Sequence, residues 1–132
     1  MIFQPLTSQY EFGILVLRLF FGGLLATHGY PKLTLGRKGT QDWLAGMKLP
    51  RVLGPLIGFL ELFGGAFLVL GLLTPIVGFL FVLQFSGILV NRKRLGKKSL
   101  PDYEKDLMYL GGALALLVLG GGTYSADYFL GL

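Results

Sequence analysis

Apolar residues gather into four long runs, at 12–30, 52–73, 76–90 and 104–121, separated by short polar stretches. A helix crossing the bilayer needs about 20 mostly apolar residues at a rise of about 1.5 Å each. Four such runs use nearly the whole chain. The pattern predicts an all-α integral membrane four-helix bundle, one domain over 1–132, with a short interfacial helix in the loop after the first run.

Each run is interrupted by a side chain that lipid disfavours. The first holds Arg18 and His28, the second Glu61, the third Gln84, and the fourth opens on Glu104. A charge at the bilayer centre costs about 2.5–3.5 kcal/mol on insertion scales, so such residues face a protein interior and mark functional sites. Their spacing agrees. Helices pack in membranes where small residues recur at steps of three and four. The second run gives Gly54, Gly58, Glu61 and Gly65, and the first gives Arg18, Gly22, Leu25, Gly29 and Lys32. The third gives Gln84, Gly87 and Asn91, and the fourth Glu104, Met108, Gly111 and Ala115. Counted from Pro31 and Arg51, Arg18 and Glu61 lie roughly 20 and 15 Å deep, a similar height. An Arg18–Glu61 pair is therefore expected at the floor of a polar pocket, with Lys32 at its mouth and His28, Gln84 and Glu104 between.

Charge gives the bundle a direction. Lys32, Arg37, Lys38, Lys48 and Arg51 lie between the first two runs, and Arg92, Lys93, Arg94, Lys97 and Lys98 between the last two. The positive-inside rule places both loops in the cytoplasm and both termini outside, across a cell (plasma) membrane. Tyr30, Trp43 and Tyr103 then mark the inner interface, and Tyr10, Tyr124, Tyr128 and Phe129 the outer one. Trp43 and Met47 lie four apart in the first loop, where Thr40 is a candidate N-cap for one or two helical turns. The N-terminus does not read as a cleaved signal, since its apolar run is long and no basic stretch precedes it.

Composition narrows the chemistry. The 132 residues are 53% hydrophobic and 14% charged, with mean hydropathy +0.67, far from the quarter charged of a soluble domain. A net charge of +5 confined to two loops is no nucleic-acid footprint. There is no cysteine and one histidine, which excludes disulfides, thiolate metal sites and bis-histidine haem ligation within the chain. No metal site is expected, and any redox centre comes from a ligand or a partner.

Each polar residue has a plainer reading beside the functional one. An Arg18–Glu61 pair serves either helix register or a ligand, because desolvation offsets much of a buried pair's attraction. His28 is a proton-exchanging group or an interfacial hydrogen-bonding one. Lys32 is a ligand contact or a snorkelling lysine. Gln84 touches ligand or bridges helices. Glu104 touches ligand or complements a helix N-terminus. Gly120, Gly121 and Gly122 lack the signature of a phosphate loop and end the last helix. Ser125 and Asp127 read as a surface cap.

Several segments together resemble the DoxX family. They are the stretch from Arg18 through His28-Gly29 to Lys32-Leu33, the run Gly58-Phe59-Leu60-Glu61 continuing to Thr74-Pro75, Glu104 to Leu110, and Gly122 to Asp127, where Ala126 replaces a frequent leucine. The resemblance implies a four-helix membrane protein associated with oxidoreductases; the family takes its name from a membrane subunit of a thiosulfate:quinone oxidoreductase. The expected function is a redox-linked membrane subunit whose pocket binds a quinone headgroup or a small anion. His28, Glu61 and Glu104 would exchange protons there, and Arg18, Lys32 and Gln84 would hold the ligand. Expected partners are the lipid bilayer and a redox protein or a second copy of the chain. The rival readings are a non-catalytic scaffold for a partner enzyme and a proton or small-solute conduit.

Overall fold

A computed structural model describes residues 7–96 and 100–132. Every regular element among the described residues is helical: α1 (Thr7–Leu33), α2 (Arg37–Gly46), α3 (Leu53–Phe59), a π-helical turn (Leu60–Gly64), α4 (Gly65–Leu70), α5 (Thr74–Arg94), α6 (Leu100–Leu119) and α7 (Ala126–Leu130). α3, the π turn and α4 form one continuous rod, because Phe59, Leu60, Gly64 and Gly65 all keep right-handed helical dihedrals. Three helices, Gln9–Leu33, Leu53–Leu70 and Thr74–Arg94, are long and apolar enough to cross a membrane. α6 packs beside them as a fourth rod, but Glu104, Lys105 and Asp106 occupy its opening turns. Lys97 and Lys98 of the second basic loop lie outside the described residues.

Glycine sets how the first two rods meet. A Cβ on Gly22 would come 2.5 Å from the Gly65 carbonyl oxygen, and one on Gly65 equally close to that of Gly22. A Cβ on Gly29 would collide with the Leu62 amide and the Gly58 carbonyl. Without side chains at these steps the backbones touch and dispersion contact is maximal, which is what holds helices together in lipid. The seams expected for these two runs are therefore present. On the other side Gly78 of α5 lies against the backbone of Ala113 and Leu117 on α6. Between the pairs sits an apolar core of Phe21, Leu25, Leu68, Phe81, Phe85 and Leu116. Phe20, Phe59, Phe63 and Val118 point outward and are exposed, as lipid-facing positions should be.

The end away from the basic loops is closed by polar ties. Gly71, at φ +73°, ends the second rod in a left-handed turn. The last carbonyls of a helix have no intrahelical donor, and Arg18 of α1 supplies one, donating from Nη1 to the Leu68 (3.3 Å) and Val69 (3.2 Å) oxygens. Its Nη2 donates to the Tyr124 oxygen. The Asp127 carboxylate accepts from the Leu73 (2.6 Å) and Thr74 (2.8 Å) amides at the start of α5, a charge placed where the helix dipole favours it. Glu11 accepts from the Thr123 amide at 2.7 Å.

Several expectations are corrected. Asp127 is buried and caps α5, not the surface; only Ser125 caps locally, accepting from the Tyr128 amide. Thr40 is no N-cap. α2 starts three residues earlier, and the Thr40 hydroxyl donates back to the Gly36 carbonyl from inside the helix. In α6 the inward stripe is Asp106, Tyr109, Gly112, Ala113 and Leu116, whereas Glu104, Met108 and Gly111 face outward. Gly111-Gly112 offers two equal candidates for a seam, about 100° apart on the helix. Only the Phe21 ring, which occupies the space beside Gly112, distinguishes them. Gly87 likewise meets nothing, and Gly78 makes the contact for α5.

Gly29→Ala should lower the thermal unfolding midpoint in detergent, at a cost of about 1–3 kcal/mol from overpacking. Gly23→Ala, at a position open to space, should leave the midpoint unchanged.

Candidate functional site

Glu61 is the only carboxylate in the second rod and is 3% exposed. It sits in the π turn, a feature that recurs at functional sites because the widened turn redirects one side chain. The glycine seam brings Lys32 over it. Lys32 Nζ donates to Glu61 Oε2 at 2.6 Å. Gln84 Nε2 of α5 donates to Glu61 Oε1 at 2.8 Å. Both carboxylate oxygens thus have a donor, and three rods are tied at one buried group. Gln84 Oε1 is buried and has no partner among the described residues.

The expected Arg18–Glu61 pair does not form. With Gly22 facing Gly65 and Gly29 facing Gly58, the antiparallel register sets Arg18 against Val69. Val69 is eight residues from Glu61, about 12 Å along the rod. Arg18 closes one end of the bundle and Glu61 belongs to the other half. Depth counted along each run separately could not supply that register.

Glu61 opens onto a cavity of about 680 Å³, within the range of small-molecule pockets. His28 and Lys32 of α1, Arg92 of α5, and Lys105, Asp106 and Tyr109 of α6 supply its polar lining, and Trp43 and Thr40 of α2 cover its end at the basic loops. His28 is exposed toward this space, with its ring edge-on to Tyr109 at 6.1 Å between centroids. Lys105, Glu61 and Lys32 are the charged groups that act on it. Asp106 is buried and accepts from Arg92 Nε at 3.0 Å. The Arg92 guanidinium also stacks 5.5 Å from the Trp43 ring, and Asn91 Nδ2 donates to the Met47 oxygen at 2.7 Å. These contacts hold α2 against α5.

The structure therefore brings together His28, Lys32, Glu61 and Gln84. Arg18 lies at the far end, and Glu104 is exposed and absent from the cavity lining. Asp106, Tyr109, Arg92 and Trp43 line the site although the sequence reading passed over them. For Asp106 and Tyr109 a signal existed: they share steps of three and four with Ala113 and Leu116, a stripe that runs into the core. The carboxylates are engaged by Lys32 and Arg92. Among the described residues Lys105 has no ion-pair partner. Three cations against two carboxylates leave the lining with one excess positive charge.

Comparison with known proteins gives the family. The DoxX family model matches residues 13–91. The chain belongs to the DoxX family. Over 125 residues it is 30% identical to Putative oxidoreductase CatD of Bacillus subtilis (strain 168), covering 95% of this chain and 92% of the relative. Over 123 residues it is 33% identical to Inner membrane protein YqjF of Escherichia coli (strain K12), covering 91% and 93%. The family match includes α1, the second rod and most of α5, and so contains His28, Lys32, Glu61 and Gln84. Asp106 and Tyr109 lie beyond it, though both full-length relatives extend over nearly the whole chain.

Removing one partner of a buried pair costs about 3–5 kcal/mol because the other charge stays buried. Lys32 keeps 29% side-chain exposure, so Lys32→Ala should fall near the lower end. Lys32→Ala combined with Glu61→Gln should be more stable than Lys32→Ala alone, as read by thermal unfolding in detergent.

Proposed function

We propose that this DoxX family protein is a membrane subunit linked to redox metabolism, whose cytoplasmic-side intramembrane cavity binds a quinone headgroup or a small anion. The observation that carries the reading is the buried Glu61–Lys32–Gln84 cluster, held in a π turn and opening onto a cavity that His28 and Tyr109 share. A structural pair needs no cavity beside it. A binding site needs both a fixed polar group and room for the ligand.

The lining suits either ligand. Leu25, Ile57, Phe85 and Ile88 offer apolar walls for a ring, while His28 and Tyr109 offer groups that donate and accept hydrogen bonds at its edge. The excess positive charge favours an acceptor or an anion. A bound quinone supplies two-electron, two-proton chemistry. The chain's part is to position the headgroup, screen it from water, and move protons: His28 exchanges one on a ring nitrogen, and Glu61, held by Lys32 and Gln84, fixes the polarity beside it. Electrons arrive from a partner redox protein, which the single histidine and absent cysteine require for this reading. The positive-inside rule puts the cavity end, where the basic loops lie, in the cytoplasm. The name of the Bacillus relative supports a redox role, and that of the Escherichia relative supports the inner membrane.

The rival is a passive scaffold that holds an enzyme at the membrane through its basic loops. Trp43, the single tryptophan, lines the cavity and reports on binding. In nanodiscs, decyl-benzoquinone or thiosulfate should quench its fluorescence saturably. Glu61→Gln and His28→Ala should each weaken that binding about tenfold or more, equivalent to about 1.4 kcal/mol. Equal affinity in wild type and both variants would leave the scaffold as the better account.

A further inference from the structure

Helix backbones seal two sides of the cavity, and side chains close the other two. The glycine seam closes the side between α1 and the second rod, and Gly78 closes that between α5 and α6. α2 covers the end at the basic loops and is latched there by Arg92 and Asn91. Between the second rod and α5, Gln84 reaches Glu61, and the Phe81 ring fills the space beside Gly64. Between α1 and α6 the side-chain contacts are ring contacts. The two helices meet closely where Phe21 lies against Gly112 and edge-on to Tyr109, and nearer the basic loops, among the described residues, the His28 and Tyr109 rings span the gap edge-on.

The residues along this gap have an order. About 100° separates successive residues around a helix. On α1, Leu25 turns toward the core, His28 toward α6, and Leu24 sits just outside His28 at the rim. On α6, Tyr109 and Lys105 turn toward α1 and Met108 sits just outside them. Leu24 is 51% exposed and Met108 74%. An apolar rim facing lipid thus gives directly onto an exposed histidine and a lysine, both lining the cavity. Polar side chains facing hydrocarbon are costly. Here, near the end of the basic loops, interfacial water, a lipid headgroup or a polar ligand can meet that cost.

We infer that the α1–α6 gap is a lateral portal, through which the polar head of a membrane amphiphile reaches His28 and Lys105 while its hydrocarbon tail stays in lipid between Leu24 and Met108. This rests on reading the cavity as a ligand site and adds the class of ligand: a hydrogen-bond-accepting or anionic head carried on an apolar tail, drawn from the bilayer. A quinone-type lipid and a fatty-acid-type lipid share that chemistry, so both heads belong in the test.

The chain has no cysteine, so single cysteines can be labelled without background. Leu24→Cys, Met108→Cys and, as an outward-facing control, Val118→Cys (82% exposed in the parent) are each reacted with a bulky maleimide in nanodiscs. Binding is read by Trp43 fluorescence with two probe pairs: decyl-benzoquinone against methyl-benzoquinone, and decanoate against acetate. The portal predicts at least tenfold tighter binding of the tailed member in one pair, which names the head. It also predicts at least a tenfold loss of that binding after labelling at position 24 or 108, with no change at 118. Tailless probes binding as tightly as tailed ones, or labels at 24 and 108 without effect, would overturn the portal while leaving the pocket intact. A tailed probe whose affinity ignores Glu61→Gln and His28→Ala would instead overturn the pocket itself, and the portal with it.

Discussion

Backbone contact between α1 and the second rod is the constraint on which the site depends. Lipid tails are as apolar as leucine, so helices in a membrane gain little by hiding apolar surface from lipid. They associate by close packing and by satisfying polar groups. Gly22, Gly29, Gly58 and Gly65 allow that packing at only one antiparallel register. The register then decides two polar arrangements at once. It sets Arg18 against the terminal carbonyls of Leu68 and Val69, and Lys32 over Glu61. Sliding α1 by one turn would strand both cations.

The two ends of the bundle use charge for different purposes. At the end of Arg18, charge serves the backbone: Arg18 the C-terminus of α4, Asp127 the N-terminus of α5, and Glu11 the Thr123 amide of the closing loop. These ties are structural, although Arg18 Nε and Thr74 Oγ1 have no partner there among the described residues. At the end of the basic loops, Glu61 and Asp106 are paired, but His28 and Lys105 face open space and Gln84 Oε1 is unpartnered. Incomplete satisfaction of buried polar groups is costly unless a ligand or water completes it. Buried unpartnered atoms occur at both ends, so what distinguishes this end is the cavity onto which Glu61, His28 and Lys105 open.

The portal joins the two aspects of the site. A closed ring of four rods would make a stable bundle and an inaccessible pocket. Here the tight pairs, α1 with the second rod and α5 with α6, carry the packing, while α1 meets α6 and the second rod meets α5 more loosely, and the inferred portal lies in the first of these two seams. α2, held by the Arg92–Trp43 stack and the Asn91 hydrogen bond, covers the remaining end without belonging to the bundle.

Much of this was legible in the residues alone. Run length and hydropathy carried the all-helical membrane fold, because a bilayer imposes a length and an apolar surface on each span. Intramembrane cost singled out Arg18, His28 and Glu61, and small-residue spacing found the true seams of the first two rods. Three things required the tertiary structure. Pairing of Arg18 depended on the register between two helices, which no property of either helix expresses. The choice of Gly112 over Gly111, and the burial of Asp106 over Glu104, depended on the rotation of α6, which its neighbour Phe21 sets. The cavity depended on where the rods diverge, since a void belongs to the arrangement of helices and to no residue within them.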